Sequence, residues 1–278
     1  QEHYSFDEAV SEGKPYLLGV FDIEFDADGK MLGYKRISEK AAAENEKWYV
    51  YVKTPLNNPW FNNQTYIDTL DREAVDKFIE ITYEAYKKAL GDEFGKNIKS
   101  IFTDEPAFSQ GFVDSDEPAV FAWTHSIPDD FYKKYGYDIC DRLPELYWEN
   151  SDNMPQTTRY RYHDMVAEKF ASAFADNCGR WCEKNGIALT GHLVEEPMLF
   201  TQTKSIGEAM RLYRGFGIPG IDMLCNDIEL TTAKQCQSAV HQFGKDAMVS
   251  ELYGVTGWDF DFRGHKFQGD WQAALGVT

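Results

Sequence analysis

Ile98-Lys99-Ser100-Ile101-Phe102-Thr103-Asp104-Glu105-Pro106 opens apolar and closes on two acids and a proline. Its β-branched and aromatic residues predict a strand over 98–103, because such side chains pack well on a pleated surface. Pro106 stiffens the chain and is expected to hold Glu105 extended. Three later stretches repeat the design: 187–192 ending at His192, 220–224 containing Asp222, and 247–251 ending at Glu251. Each lies between helical patterns. Val75, Phe78, Ile79, Thr82, Tyr86 and Leu90 recur at helical spacing over 71–90, with Asp71 placed to cap the start and Gly91 to stop it. Further helices are expected at 129–135 (inside a polar and aromatic excursion over 107–156), 158–184, 205–214, 231–243 and 267–274.

Strands alternating with helices build a mainly parallel sheet, either doubly wound or closed into a barrel. Both architectures gather function at strand C-termini, where the acids and the histidine fall. No glycine-rich phosphate loop follows any strand, which favours the barrel over nucleotide-binding folds. The fold class expected is therefore α/β, a (β/α)8 TIM barrel. Trp48-Tyr49-Val50-Tyr51-Val52 is read as its third strand, 98–103 as its fourth, then 187–192, 220–224 and 247–251, with Leu275-Gly276-Val277-Thr278 opening the eighth. Residues 16–37 read as a β-hairpin insertion turned at Asp26-Ala27-Asp28-Gly29. A faint calcium-loop likeness at Glu24, Asp26 and Asp28 fails on spacing. Strands one and two are missing on this count. The expectation is an incomplete barrel, 1–278 being one partial catalytic domain of a larger protein with flanking domains.

The 278 residues are 43% hydrophobic and 15% aromatic, enough for one large core. No apolar run reaches the length of a membrane span. Forty-six acidic against 28 basic residues leave a formal charge of -18, a surface that repels nucleic acid and anionic lipid. A neutral ligand suits it better. Five scattered cysteines do not make a disulfide framework, and Cys178 with Cys182 reads as buried thiols. That leans slightly toward a reducing, cytoplasmic compartment; the chain begins at Gln1 without a charged-then-apolar leader, so any targeting signal is absent or cut off.

Cleaving a glycosidic bond takes one protonated carboxyl to assist the leaving group and one carboxylate as nucleophile or base. Glu105 and Glu251, ending the predicted fourth and seventh strands, are the candidate catalytic pair, with Asp104 placed to orient the site or raise the proton affinity of Glu105. His192, Glu195 and Glu196 form a second cluster suited to sugar hydroxyls or a metal, and Asp222 a further contact. Trp60 and Asn63, in Pro59-Trp60-Phe61-Asn62-Asn63-Gln64, and Trp258, in Thr256-Gly257-Trp258-Asp259, offer stacking faces and amides for a sugar. His163 and His241 sit inside predicted helices and read as structural.

Trp60-Phe61-Asn62-Asn63-Gln64-Thr65-Tyr66, Phe102-Thr103-Asp104-Glu105-Pro106, Thr190-Gly191-His192, Ser250-Glu251-Leu252-Tyr253-Gly254 and Thr256-Gly257-Trp258 resemble the catalytic region of α-L-rhamnosidase-related bacterial proteins of glycoside hydrolase family 106. The resemblance runs over nearly the whole chain. It implies the middle of a large multidomain glycosidase, inverting and calcium-assisted, with Glu105 and Glu251 as acid and base and Glu195 or Glu196 as a sugar or calcium ligand. Asp-Glu-Pro also resembles the Asn-Glu-Pro of the large retaining barrel clan, which would make Glu105 acid/base and Glu251 nucleophile, although Asp104 replaces the clan's Asn. Carboxyls about 5–5.5 Å apart mean retention and about 6.5–9.5 Å inversion. Two rival readings are a sugar-binding barrel without catalysis and a metal-dependent hydrolase of a non-sugar substrate using His192, Glu195 and Asp222.

Overall fold

A computed structural model describes residues 5–55, 57–108, 120–225 and 227–278. The part of the expected excursion over 109–119 lies outside the described residues. The chain forms two compact units, Gln1–Ile67 with Asp114–Met165, and Asp68–Val113 with Val166–Thr278.

The first unit is built on an antiparallel sheet of β1 (Tyr16–Phe25), β2 (Met31–Ile37) and β3 (Glu46–Val52), in the order β2-β1-β3. The expected hairpin is present. Asp26 Oδ1 accepts the amides of Asp28 and Lys30, each at 2.9 Å, so its side chain holds the turn. β3 departs from expectation. It pairs antiparallel with β1, Trp48 opposite Phe21 and Tyr49 opposite Val20, and is not a parallel barrel strand. Its residues alternate between more and less exposed sides, with Trp48 packing near Phe21 and Tyr147. Such alternation belongs to a sheet buried on one face, whereas barrel strands are buried on both. Phe21, Ile23, Ile127, Phe131 and Ile139 are fully buried in this unit.

The second unit carries a parallel sheet of β4 (Ser100–Thr103), β5 (Ala188–Gly191), β6 (Ile218–Asp222) and β7 (Val249–Glu251), in the order β4-β5-β6-β7. The expected run at 275–278 makes only a single parallel bridge, Met248 to Val277. Helices separate the strands. The helix over 72–90 starts on Asp71, whose side chain accepts the Glu73 amide, and contains a π-turn at Ile79–Tyr83. Another π-turn, Ala171–Ala175, interrupts the long helix over 157–184. The segment expected as one helix over 205–214 is two, Leu199–Ser205 and Ala209–Leu212, broken at Gly207 with φ +79°. The last helix is longer than expected, Phe262–Ala274. Cys178, Cys182 and Cys236 are free and fully buried, and burial pushes each thiol up to about 12, as expected of inert core cysteines. No described helix is long and apolar enough to cross a membrane.

Strand register levels the functional ends. Thr103 pairs with Gly191, and Asp222 pairs with Glu251. Close approach of β4 and β5 requires Gly191, whose φ is +129° and whose absent Cβ would lie 1.9 Å from the Thr103 carbonyl oxygen. Gly191→Ala is expected to cost about 2–5 kcal/mol, combining a strained backbone with overpacking. Gly29→Ala, with positive φ but open space around it, should cost only about 1 kcal/mol. Urea unfolding of both variants checks this, and equal midpoints would refute the close-approach account.

Candidate active site

His192 follows β5 at the levelled end and is 1% exposed. Its Nε2 lies between two carboxylates, 3.1 Å from Glu251 Oε2 and 3.3 Å from Asp104 Oδ1. Its Nδ1 faces the Leu193 carbonyl at 3.3 Å, a partner that can only accept. Both ring nitrogens therefore call for protons. Burial works against the charged ring, but the Leu193 carbonyl, Asp222, Glu251 and Asp104 together outweigh it and raise the imidazole above its ordinary range. The ring of Phe102 meets it edge-on at 5.5 Å. One imidazole thus ties the loops after β4 and β7 to the end of β5.

Glu105 lies just beyond Asp104. It is not extended as Pro106 led one to expect: its φ is +44°, in the left-handed region that a non-glycine residue enters at a cost. The turn follows the abrupt end of β4 and swings the carboxyl into the neighbourhood of His192 and Asp222. Burial raises its proton affinity, His192 opposes this, and the like charges of Asp104, Asp222 and Glu195 add to it. A carboxyl that keeps its proton above the usual glutamate range is suited to act as an acid.

Asp222, at the end of β6, is raised by burial, eased by His192 and raised again by Glu251, Asp104 and Glu229. Its Oδ1 is buried without a hydrogen-bond partner. Donor atoms of Glu105, His192 and Asp222 come within 4.8 Å of one another, a grouping of metal-ligand type among the described residues. It does not centre on Glu195 or Glu196, where calcium was expected. Calcium takes oxygen ligands, so Glu105 and Asp222 fit such an ion and the imidazole does not.

The expected glutamate pair divides. Glu195 has φ +63° and lies close enough to raise Glu105. Glu196 is 5% exposed, its Oε1 unpartnered, and burial lifts it to about 7. Trp258 is fully exposed on the loop after β7, which is anchored where the Cys225 amide donates to the Gly254 carbonyl at 2.8 Å. Trp60 and Asn63 belong to the first unit. Trp60 sits exposed on a turn capped by Asn58, whose Oδ1 accepts its amide at 2.9 Å, and Asn63 has φ +57°. The structure therefore gathers Asp104, Glu105, Asp222 and Glu251 around the imidazole of His192, with Glu195 near Glu105. His163 is held neutral, burial lowering it to about 4 with Arg159 adding to the effect, in keeping with a structural role. Three polar residues escaped the sequence reading: Thr201, Gln202 and Gln235, which bond the chain behind Glu195. Glutamines on helices look like surface residues, and only the burial of Gln202 marks it out.

The sequence matches no curated protein. In fold, the chain is similar to a solved rhamnosidase from Novosphingobium sp. PP1Y, with a TM-score of 0.59 and 20% identity. The likeness covers 77% of this chain but 20% of that protein, so the chain spans about one fifth of its relative's length. The family model described as alpha-L-rhamnosidase matches residues 57–262, a span that contains His192, the four acids gathered around it and most of the chain. The chain belongs to glycoside hydrolase family 106, the alpha-L-rhamnosidase family.

Proposed function

We propose that the full-length protein carrying this chain is an α-L-rhamnosidase, with Glu105 as catalytic acid and Glu251 as the carboxylate that activates water. In this reading β4 to β7 are strands four to seven of a (β/α)8 barrel, and the chain is the catalytic part of a larger multidomain protein. Family membership supports a carbohydrate substrate. The observation that carries the assignment of roles is His192 bonded to Glu251 while burial and three nearby acids raise the proton affinity of Glu105. One carboxyl is biased toward its protonated form and the other is bonded to an imidazole, the division of labour that glycoside cleavage needs.

Glu105 gives its proton to the glycosidic oxygen as the bond to the anomeric carbon breaks. Positive charge develops on the sugar and is offset by Asp104 and Asp222. Glu251, held in place by His192, takes a proton from the water that attacks the opposite face. The configuration at the anomeric carbon inverts. Glu195 meets sugar hydroxyls, and Trp258 offers an open stacking face for the substrate. Calcium, if held at Asp222, would orient vicinal hydroxyls and neutralise part of the local charge, and the unpartnered Asp222 Oδ1 supplies a free oxygen for it while Glu105 keeps its proton.

Glu105→Gln should lower kcat on an aryl rhamnoside by about 10²–10⁴-fold, the usual worth of a general acid or base, with circular dichroism unchanged. Glycan binding with no turnover by the unsubstituted protein would favour the non-catalytic barrel instead. Because Glu105 must be protonated to act, the basic limb of the pH profile lies above the ordinary glutamate range. Glu195→Gln removes a like charge and should move that limb to lower pH; a fixed or rising limb would contradict the assignment. Chelation should raise KM for rhamnosides and added Ca²⁺ should restore it, while activity indifferent to chelator removes the calcium from the account.

A further inference from the structure

The turn that brings Glu195 to the site is gripped from behind by side chains of two helices. Thr201 Oγ1, on the helix Leu199–Ser205, donates to the Glu195 carbonyl at 2.8 Å. Gln202 Nε2, from the same helix, donates to the Glu196 carbonyl at 2.7 Å. Gln235 Nε2, from the helix Leu230–Phe243, donates to that same carbonyl oxygen at 3.0 Å. Gln202 is 2% exposed, and the rest of its amide is also engaged: Nε2 donates to Gln235 Oε1 at 2.9 Å, and Oε1 accepts the Ala209 amide at 3.0 Å.

Ordering two glutamines costs rotamer entropy, and burying one costs desolvation that complete bonding must offset. A bland cap on a helix end would not need this. What the bonds hold is an unfavourable piece of chain. Glu195 sits in the left-handed region, which costs a non-glycine residue on the order of 1–3 kcal/mol and persists only when its surroundings over-determine it. The Glu196 side chain does not supply that restraint through Oε1, which has no partner.

Building on the rhamnosidase reading, we propose that Gln202 and Gln235 are positioning residues that clamp the Glu196 carbonyl and thereby present Glu195 to the sugar. Neither glutamine touches substrate. They act through the main chain of the loop after β5, and Thr201 steadies the same turn one residue earlier.

Gln235→Leu is the variant of choice in the full-length protein, because it leaves the Gln202 bond to Glu196 in place. Gln202→Leu would strand the Ala209 amide in the core and could prevent folding. Amide hydrogen exchange over 193–198 should quicken about threefold to tenfold in Gln235→Leu, with the remaining strands unaffected. KM should rise about threefold to tenfold with kcat within about twofold, the mark of lost substrate binding. Gln235→Glu, similar in shape but without the N–H donor, should behave alike. The double variant Glu195→Gln with Gln235→Leu should be no worse than Glu195→Gln alone, since both act through one contact. Unchanged exchange, a wild-type Gln235→Glu, or multiplying effects in the double variant would each overturn the clamp. Failure of the unsubstituted protein to cleave rhamnosides overturns the rhamnosidase reading instead, and exchange over 193–198 then decides the clamp by itself.

Discussion

The imidazole of His192, buried between Asp104 and Glu251, is the interaction on which the site depends. At least five carboxyls, those of Asp104, Glu105, Glu195, Asp222 and Glu251, act on this ring or on one another at the levelled ends of the parallel strands. Like charges at such distances disfavour joint ionisation. The imidazole, raised toward its charged form, relieves part of the repulsion, and its placement decides which acid is relieved. Glu251 bonds to the ring directly, whereas Glu105 feels it only through space. The asymmetry separates two chemically identical side chains into a paired carboxylate and a proton holder.

That placement is a consequence of backbone packing. His192 can sit where it does because Gly191 lets β5 press against β4, its own amide meeting the Thr103 carbonyl at 3.3 Å. Gly220 allows an equally close contact, its absent Cβ falling 2.5 Å from the Gly191 carbonyl oxygen. Three adjacent strands are thus drawn together at the level where the acids emerge. The left-handed turns at Glu105 and Glu195 accompany the approach of these two carboxyls to one another, Glu105 lying near the ring. Strain of this kind is found where surrounding structure over-determines it, and around Glu195 that surrounding is a set of buried amide bonds.

Much of this was legible in the residues. The four parallel strands and their acidic ends could be read because short β-branched runs end abruptly in Asp, Glu or His, and helical spacing lies between them. Trp48 to Val52 misled, since a short run of aromatic and β-branched residues looks the same in an antiparallel sheet as in a barrel; only pairing partners far along the chain distinguish them. The hairpin at Asp26 was plain from its turn chemistry. The backbone at Glu105 was not, because a following proline argues for extension and the tertiary fold overrode it. Nor were Gln202 and Gln235 visible, since their importance lies in which carbonyl they reach. The pairing of His192 with Glu251 across 59 positions is likewise a product of register, which no local pattern encodes.

The central claim is that a sugar is cleaved between Glu105 and Glu251 with His192 holding the second of them. A crystal structure of the full-length protein with bound rhamnose tests it most directly. The account predicts the anomeric carbon between the two carboxyls, Glu105 on the leaving-group side, Glu251 on the opposite face, and the His192 bond to Glu251 retained. Rhamnose bound elsewhere, or with its anomeric carbon beyond reach of both carboxyls, would contradict it.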